Sequence, residues 1–323
     1  EFIYDEMIEY KEGDKGFKVK AVDIYDNVTI STLPVEYKTV PVPVLTLPSE
    51  PMSGTTDAKL AIPIKAESVR GIQEVTIYRV ENGEEVLALN EKKNGELQLD
   101  YVSEVSLTEA TSQIKVVVSD GRVGKERSGT VKVYVNMEVI TVNIASQPLA
   151  NTGHEAYPGV YGLLSLNDMK TYSVDYALGS ADNAKNVDLC FYCMGNGSNK
   201  ESTPRLYPIN GAKQSEFRGS NNANLGSAAV KNQTGLLKLT KFDYDNATVA
   251  SISAEISGSL VIGKEVNPMA VGDIIAFKTA SASTAGADRI GVMRIIDMTP
   301  SYGQGALSTT GNTQARVVTV EIE

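Results

Sequence analysis

The sequence predicts an all-β chain: two short sandwich units followed by a larger C-terminal β domain. Three observations carry this. Apolar and polar residues alternate with a period of two through short runs rich in Val, Ile, Thr and Tyr, as half-buried strands require. Turn residues punctuate those runs at short, regular intervals. One strand–turn–strand pattern occurs twice: Phe17 to Tyr37 matches Ile114 to Val135 at a shift of 97 residues, with Phe17 on Ile114, Val19 on Val116, Ala21 on Val118 and Asp23 on Asp120. The match continues upstream, with Phe2 on Leu99, Tyr4 on Tyr101, Ile8 on Val105 and Tyr10 on Leu107. Similarity over several strands and their turn marks a repeated module.

Residues 1–43 read as the second half of one such module. Phe17, Val19 and Ala21 line one face of a strand, Asp23 to Asn27 makes a hairpin turn, and Thr29 to Tyr37 returns. Asp26 and Asn27 suit left-handed backbone angles, so this Asp/Asn cluster is read as turn chemistry in preference to a calcium site. Pro41-Val42-Pro43 then forms a stiff extended linker, since proline fixes φ and donates no ladder hydrogen bond.

Residues 44–136 read as a complete copy. Val44 to Leu47 opens it, Ala58 to Ala66 alternates as a strand, and Val75 to Val80 is a strand with β-branched residues on both faces. Asn82-Gly83 is a two-residue hairpin turn. Glu85 to Leu89, Leu97 to Leu107 and the repeated hairpin bring the count to about seven strands in about 90 residues, the pattern of an immunoglobulin-like sandwich. The Cys…Trp…Cys core of antibody domains is absent, because the chain has no Trp.

A hydrophobic strand ending in Val-Ser-Asp, a Gly/Asn turn and a β-branched strand, together with Gly71-Ile72 leading into Val75 to Tyr78, resembles the tandem immunoglobulin-like modules of Bacteroidetes-type surface lipoproteins. The resemblance covers residues 1–136. It implies a spacer between a lipidated N-terminus and a C-terminal binding domain on the extracellular face of the outer membrane.

Residues 137–323 differ in texture, with little helical periodicity and much Gly, Asn and Ser between short strands. Val139 to Ile144, Gly159 to Leu164, Thr171 to Ala177 and Val187 to Cys193 read as strands, and Gly195 to Gln233 as a long polar loop region. Leu236 to Tyr244 reads as a strand, and Thr248 to Ile256 as a short helix or strand. Ile274 to Lys278, Arg289 to Ile296 and Ala315 to Ile322 close a β-sandwich or jelly-roll-like domain. This ending resembles the C-terminal β domain of uncharacterised surface proteins with the same modules, and the resemblance supplies no catalytic motif.

Composition narrows the function. A net charge of −10 without clustered Lys and Arg argues against a nucleic-acid partner. No apolar run of about 18 residues spans a bilayer. The opening EFIYDEMIEY carries carboxylates and no signal-peptide core. Since the first copy lacks its opening strands, the chain is expected to start inside a domain, with membrane anchoring only through a segment before residue 1. Cys190 and Cys193 have CxxC spacing, but on a strand they point to opposite faces, so they read as reduced packing residues. The single histidine, His154, sits in a predicted loop and leaves no second histidine for a triad or a zinc site.

No cofactor or nucleotide motif occurs. Asp243 and Asp245 are the weak metal candidates; on a strand they would share one face opposite Phe242 and Tyr244, and an exposed strand face is the preferred reading. Sugar binding needs ring faces for CH groups together with amides and carboxylates. Tyr157, Tyr161, Tyr207 and Tyr302 are the candidate platforms, with Asn196 and Asn221 as polar partners. The expected function is therefore non-enzymatic binding of an extracellular ligand, a glycan foremost. The alternative is an adhesive stalk touching a surface protein, and third comes a carboxylate-based glycoside hydrolase.

Overall fold

The computed structural model describes residues 16–34, 40–153, 157–193, 204–257, 261–262, 265–287, 289–299 and 317–322. Among them are eighteen strands and three short helices, an all-β protein. Strands β1 (Gly16–Val22) and β2 (Val28–Pro34) form an antiparallel hairpin. Its turn has Asp26 at φ +64°, and Asp23 accepts from the backbone N–H groups of Tyr25 and Asn27. The turn reading of that cluster therefore holds.

The second unit begins with β3 (Val44–Thr46), β4 (Met52–Gly54), β5 (Lys59–Glu81) and β6 (Glu84–Ser106). It ends with the repeated hairpin, β7 (Thr111–Ser119) and β8 (Arg127–Val135). Strands β5 and β6 are one long antiparallel hairpin bent at its middle: Lys59 to Glu67 pair with Gln98 to Ser106, and Ile72 to Glu81 with Glu84 to Glu96. Gly71 makes the bend, at φ +80°, where a Cβ would stand 2.1 Å from the Gly95 carbonyl oxygen. Strand β3 pairs with the Lys65–Glu67 end of the first half of β5, and Glu74–Glu81 of its second half pair with β7, which continues into β8 and the parallel β4. These strands form one six-stranded sheet, bent through β5 and β6, around a core containing Ile62, Ile64, Ile77, Ile114, Val116 and Val133. This is the one-sided burial that the alternation in β5 and β7 requires, since burying one face of each strand contributes about 1.5–3 kcal/mol per large apolar side chain.

Strand β9 (Ile140–Ala145) carries the chain into the C-terminal unit and pairs with the last strand, β18 (Val317–Ile322). Next come β10 (Leu163–Ser165), β11 (Lys170–Tyr172), helices α1 (Val174–Gly179) and α2 (Ala181–Lys185), β12 (Leu189–Tyr192) and β13 (Arg205–Pro208). After them follow β14 (Gly235–Leu239), helix α3 (Val249–Ile256), β15 (Val261–Ile262), β16 (Ile274–Lys278) and β17 (Ile290–Thr299). A four-stranded sheet, β11-β10-β12-β13, faces a six-stranded sheet, β15-β14-β16-β17-β18-β9. Between them lies a core of Ile144, Phe191, Leu206, Phe277 and Met293.

Both sheets are also covered on their outer faces. A second core holding Cys190, Tyr207, Phe217 and Leu225 backs the four-stranded sheet under α1, α2 and the 209–230 segment. A third, with Tyr244, Ile252, Ala276 and Val292, lies under α3. This explains why β12 reads as an unbroken apolar run: Phe191 and Cys193 enter one core, Cys190 and Tyr192 the other. Neither cysteine is in a disulfide, and the two are buried on opposite faces.

Three expectations need correction. Thr171 to Ala177 is the end of β11 followed by α1, whose N-cap Ser173 accepts from the Tyr176 N–H. The described part of the polar segment, 204–233, is packed, because Phe217 and Leu225 anchor it in the core; Asn196 lies outside the described residues. The strand read at Leu236 to Tyr244 stops at Leu239, and Tyr244–Asn246 is a 3₁₀ turn.

Candidate functional site

A groove of about 530 Å³ lies where the second unit meets the C-terminal unit. The Asn82-Gly83 hairpin and Gln113 form its wall on the sandwich side. That turn has left-handed backbone at both residues, φ +52° and +84°, as a two-residue hairpin needs. Phe242, Asp243 and Asn246 form the opposite wall, and Ser251 and Glu255 of α3 close one side.

The carboxylate of Asp243 caps the 3₁₀ turn, accepting from the Asn246 N–H at 3.3 Å and from Asn246 Nδ2 at 2.9 Å. Asn246 in turn accepts from Gln113 Nε2 at 3.0 Å, so one hydrogen-bond chain crosses between the units. The Ala250 N–H, 3.5 Å from the Glu109 carbonyl oxygen, is a second crossing contact. Helix α3 is held by a capping box in which Thr248 and Ser251 exchange side-chain-to-backbone bonds. The groove thus offers planar amides, carboxylates and one ring on fixed backbone.

The predicted acidic pair is separated. Asp245 is drawn away to Arg294, whose Nη1 donates to its Oδ1 at 2.8 Å while the guanidinium lies 4.3 Å over the Tyr244 ring. The two aspartates sit in a turn, so the strand alternation expected to align them does not operate. Among the described residues no group of three or more His, Cys, Asp or Glu is placed to hold a metal ion.

The tyrosine candidates are not gathered at the groove. Tyr207 is 1% exposed in the second core, its hydroxyl accepting from Arg205 Nη1 at 3.2 Å, so its ring is no sugar platform. Strand β13 turns it inward because it pairs with the buried Cys190 of β12. Tyr157 and Tyr161 are half-buried in the 157–162 loop, where the Tyr161 N–H donates to Thr171. Asn221 is exposed, and its Oδ1 accepts from the Ala223 N–H within its own turn. Tyr302 and His154 lie outside the described residues. A stacked pair that the sequence reading missed, Tyr172 and Tyr176, has ring centroids 4.1 Å apart. The hydrogen bond from Tyr172 to Asp168 pushes the Tyr172 hydroxyl up to about 12.

Two further polar features hold the scaffold. Asp188 is fully buried, accepting from the Leu166 N–H at 2.9 Å and Asn232 Nδ2 at 3.1 Å. Asp120, also buried, binds Arg122, which donates to the carbonyls of Val40 and Pro41 and so fixes the linker onto the sandwich.

No protein-family model matches the chain, and no curated protein matches it in sequence. Among the described residues no helix is long and apolar enough to cross a membrane.

Proposed function

We propose that this chain is a non-enzymatic binding protein of the bacterial cell surface, and that its inter-unit groove takes an extracellular carbohydrate. The single observation carrying this reading is the lining of the groove: Phe242 beside Asp243, with the amides of Asn82, Gln113 and Asn246 around it. A ring face suits sugar CH groups, and planar amides and carboxylates suit paired hydroxyls. The groove volume of about 530 Å³ falls within the range of ligand pockets. In this reading the immunoglobulin-like units are spacers and also supply one wall of the site.

The test is a glycan array probed with the full chain, followed by Asp243→Ala and Gln113→Ala. Asp243→Ala is expected to weaken binding about tenfold, since a hydrogen bond to a charged group contributes on the order of 1.5 kcal/mol or more, and Gln113→Ala about threefold, since a neutral one contributes about 0.5–1.5 kcal/mol. Silence on all glycans, with a protein partner captured instead, rejects the reading. That outcome favours the adhesive stalk, for which one feature speaks: Val42, Val44, Val69 and Leu97 form an exposed apolar patch on the sandwich.

A further inference from the structure

We propose that a second, smaller cavity binds a free α-amino acid with an apolar side chain. The cavity, about 220 Å³, lies on the other face of α3 from the groove. Val249 and Ile252 line it, whereas Ser251, Ala254 and Glu255 line the groove, as the helical period of 3.6 dictates.

Its lining is mixed, with more apolar than polar surface. Met137, Met169, Val249, Ile252 and Phe277 form the walls, and the thioether side chains of the two methionines adapt to an irregular guest. Met169 is held at φ +53°, a left-handed conformation that costs a non-glycine residue energy and clusters at functional sites. Two opposite charges stand with this lining, Glu138 and Arg289. Arg289 donates one bond, Nη1 to the Asn167 carbonyl at 3.1 Å, and lies close enough to buried Asp188 to act on its charge. Neither Glu138 nor Arg289 forms an ion pair among the described residues.

These features select the ligand by chemistry. The volume is below the roughly 300 Å³ at which drug-sized pockets begin, so the guest is small. Against Met137, Met169, Val249, Ile252 and Phe277 a charged side chain would lose its hydration unpaired, so an apolar one is favoured there. A simple anion meets Glu138 and a simple cation meets Arg289, whereas a zwitterion satisfies both. The guanidinium fork suits a carboxylate, and Glu138 suits the ammonium.

The test is calorimetric titration of the full chain with L-leucine, L-methionine, glycine and L-aspartate. Two leucine analogues, 4-methylpentanoate without the ammonium and 3-methylbutylamine without the carboxylate, join the series. Leucine and methionine are expected to saturate one site, with glycine, aspartate and both analogues at least about tenfold weaker, the cost of one lost charged or apolar contact. Val249→Phe fills the cavity and is expected to abolish leucine binding. Val249 does not line the groove, so this variant leaves glycan binding unchanged and separates the two sites. Absence of leucine and methionine binding at millimolar concentration overturns the proposal. So does binding of either analogue as tight as that of leucine, and so does undiminished leucine binding by a folded Val249→Phe. The analogue series uses the unaltered chain and decides even where the variant fails to fold.

Discussion

Replacing Asn232 with Ala tests whether the buried polar network holds the C-terminal unit together. Asn232 is fully buried, and its Nδ2 donates to the carbonyls of Lys185 and Val187, each at 2.8 Å, and to Asp188 Oδ1 at 3.1 Å. The amide has two hydrogens for these three acceptors, so they amount to about 0.5–1.5 kcal/mol for a neutral bond and about 1.5–3 kcal/mol for one shared with the carboxylate. Their acceptors stay in the interior after truncation, so the whole loss is expected to be about 3–5 kcal/mol. For a unit of this size one kcal/mol moves the melting midpoint by about 2–4 °C, so the shift is on the order of 10 °C. Differential scanning calorimetry reads it in the transition of the C-terminal unit. A shift below about 1 °C would refute the assignment, because it is smaller than the loss of even one such bond.

The same network predicts a pH dependence. Burial pushes the Asp188 carboxyl above the ordinary carboxylate range, against the opposing bonds from Ser283, Leu166 and Asn232 and the charge of Arg289. The folded chain therefore holds this proton more tightly than the unfolded chain does. Its contribution to stability is fully present below the unfolded value of about 3.9 and is lost as pH rises through the raised folded value. Asp188→Asn removes this component, and acid-range denaturant titrations of the two proteins are expected to diverge with that sign.

Three other outcomes are expected. Arg122→Ala leaves Asp120 buried without its guanidinium, costing about 3–5 kcal/mol in urea unfolding of the sandwich. Arg122 holds the Asp120 carboxyl below the usual range, so that stability is present above the unfolded value and lost as pH falls through the depressed folded value. Gly71→Ala drives a Cβ to 2.1 Å from a backbone oxygen and should cost more than about 4 kcal/mol, while Gly83→Ala, with nothing within 4 Å, should cost only the left-handed penalty of about 1–2 kcal/mol; thermal melts of the pair compare steric closure with backbone strain. Burial pushes the Cys190 thiol far up, so a thiol-reactive dye should label the cysteines only after denaturant is added.

Strands were legible in the sequence wherever one face met a core and the other met solvent. In β5 and β7 the buried residues fall at every second position, and the Asn82-Gly83 turn declares itself by its backbone demand. Helices α1 and α2, of six and five residues, complete too few turns to show a period. Their signals were single caps, Ser173 and Ser180, which a strand reading passes over. Segment 204–233 read as a loop because irregular packing has no period, yet Phe217 and Leu225, two bulky apolar residues in a polar stretch, were its available sign of burial.

The candidate site was legible in chemistry and hidden in geometry. Asp243 stood out as a carboxylate beside an aromatic residue, but its partner was read as Asp245 because a strand was assumed; the turn gives Asp245 to Arg294 and Asp243 to the groove. Gln113, which completes the crossing bond, is 133 residues from Asn246, and no local pattern announces a contact at that distance. Helix α3 then explains why two cavities occur at one junction. It stands between the sandwich and the six-stranded sheet with polar Ser251 and Glu255 on one face and apolar Val249 and Ile252 on the other. Eight residues of helix at a junction leave a space on each side, and apolar surface predominates in the lining of both. The position of α3 is fixed by its capping box and by Ile252 in the third core.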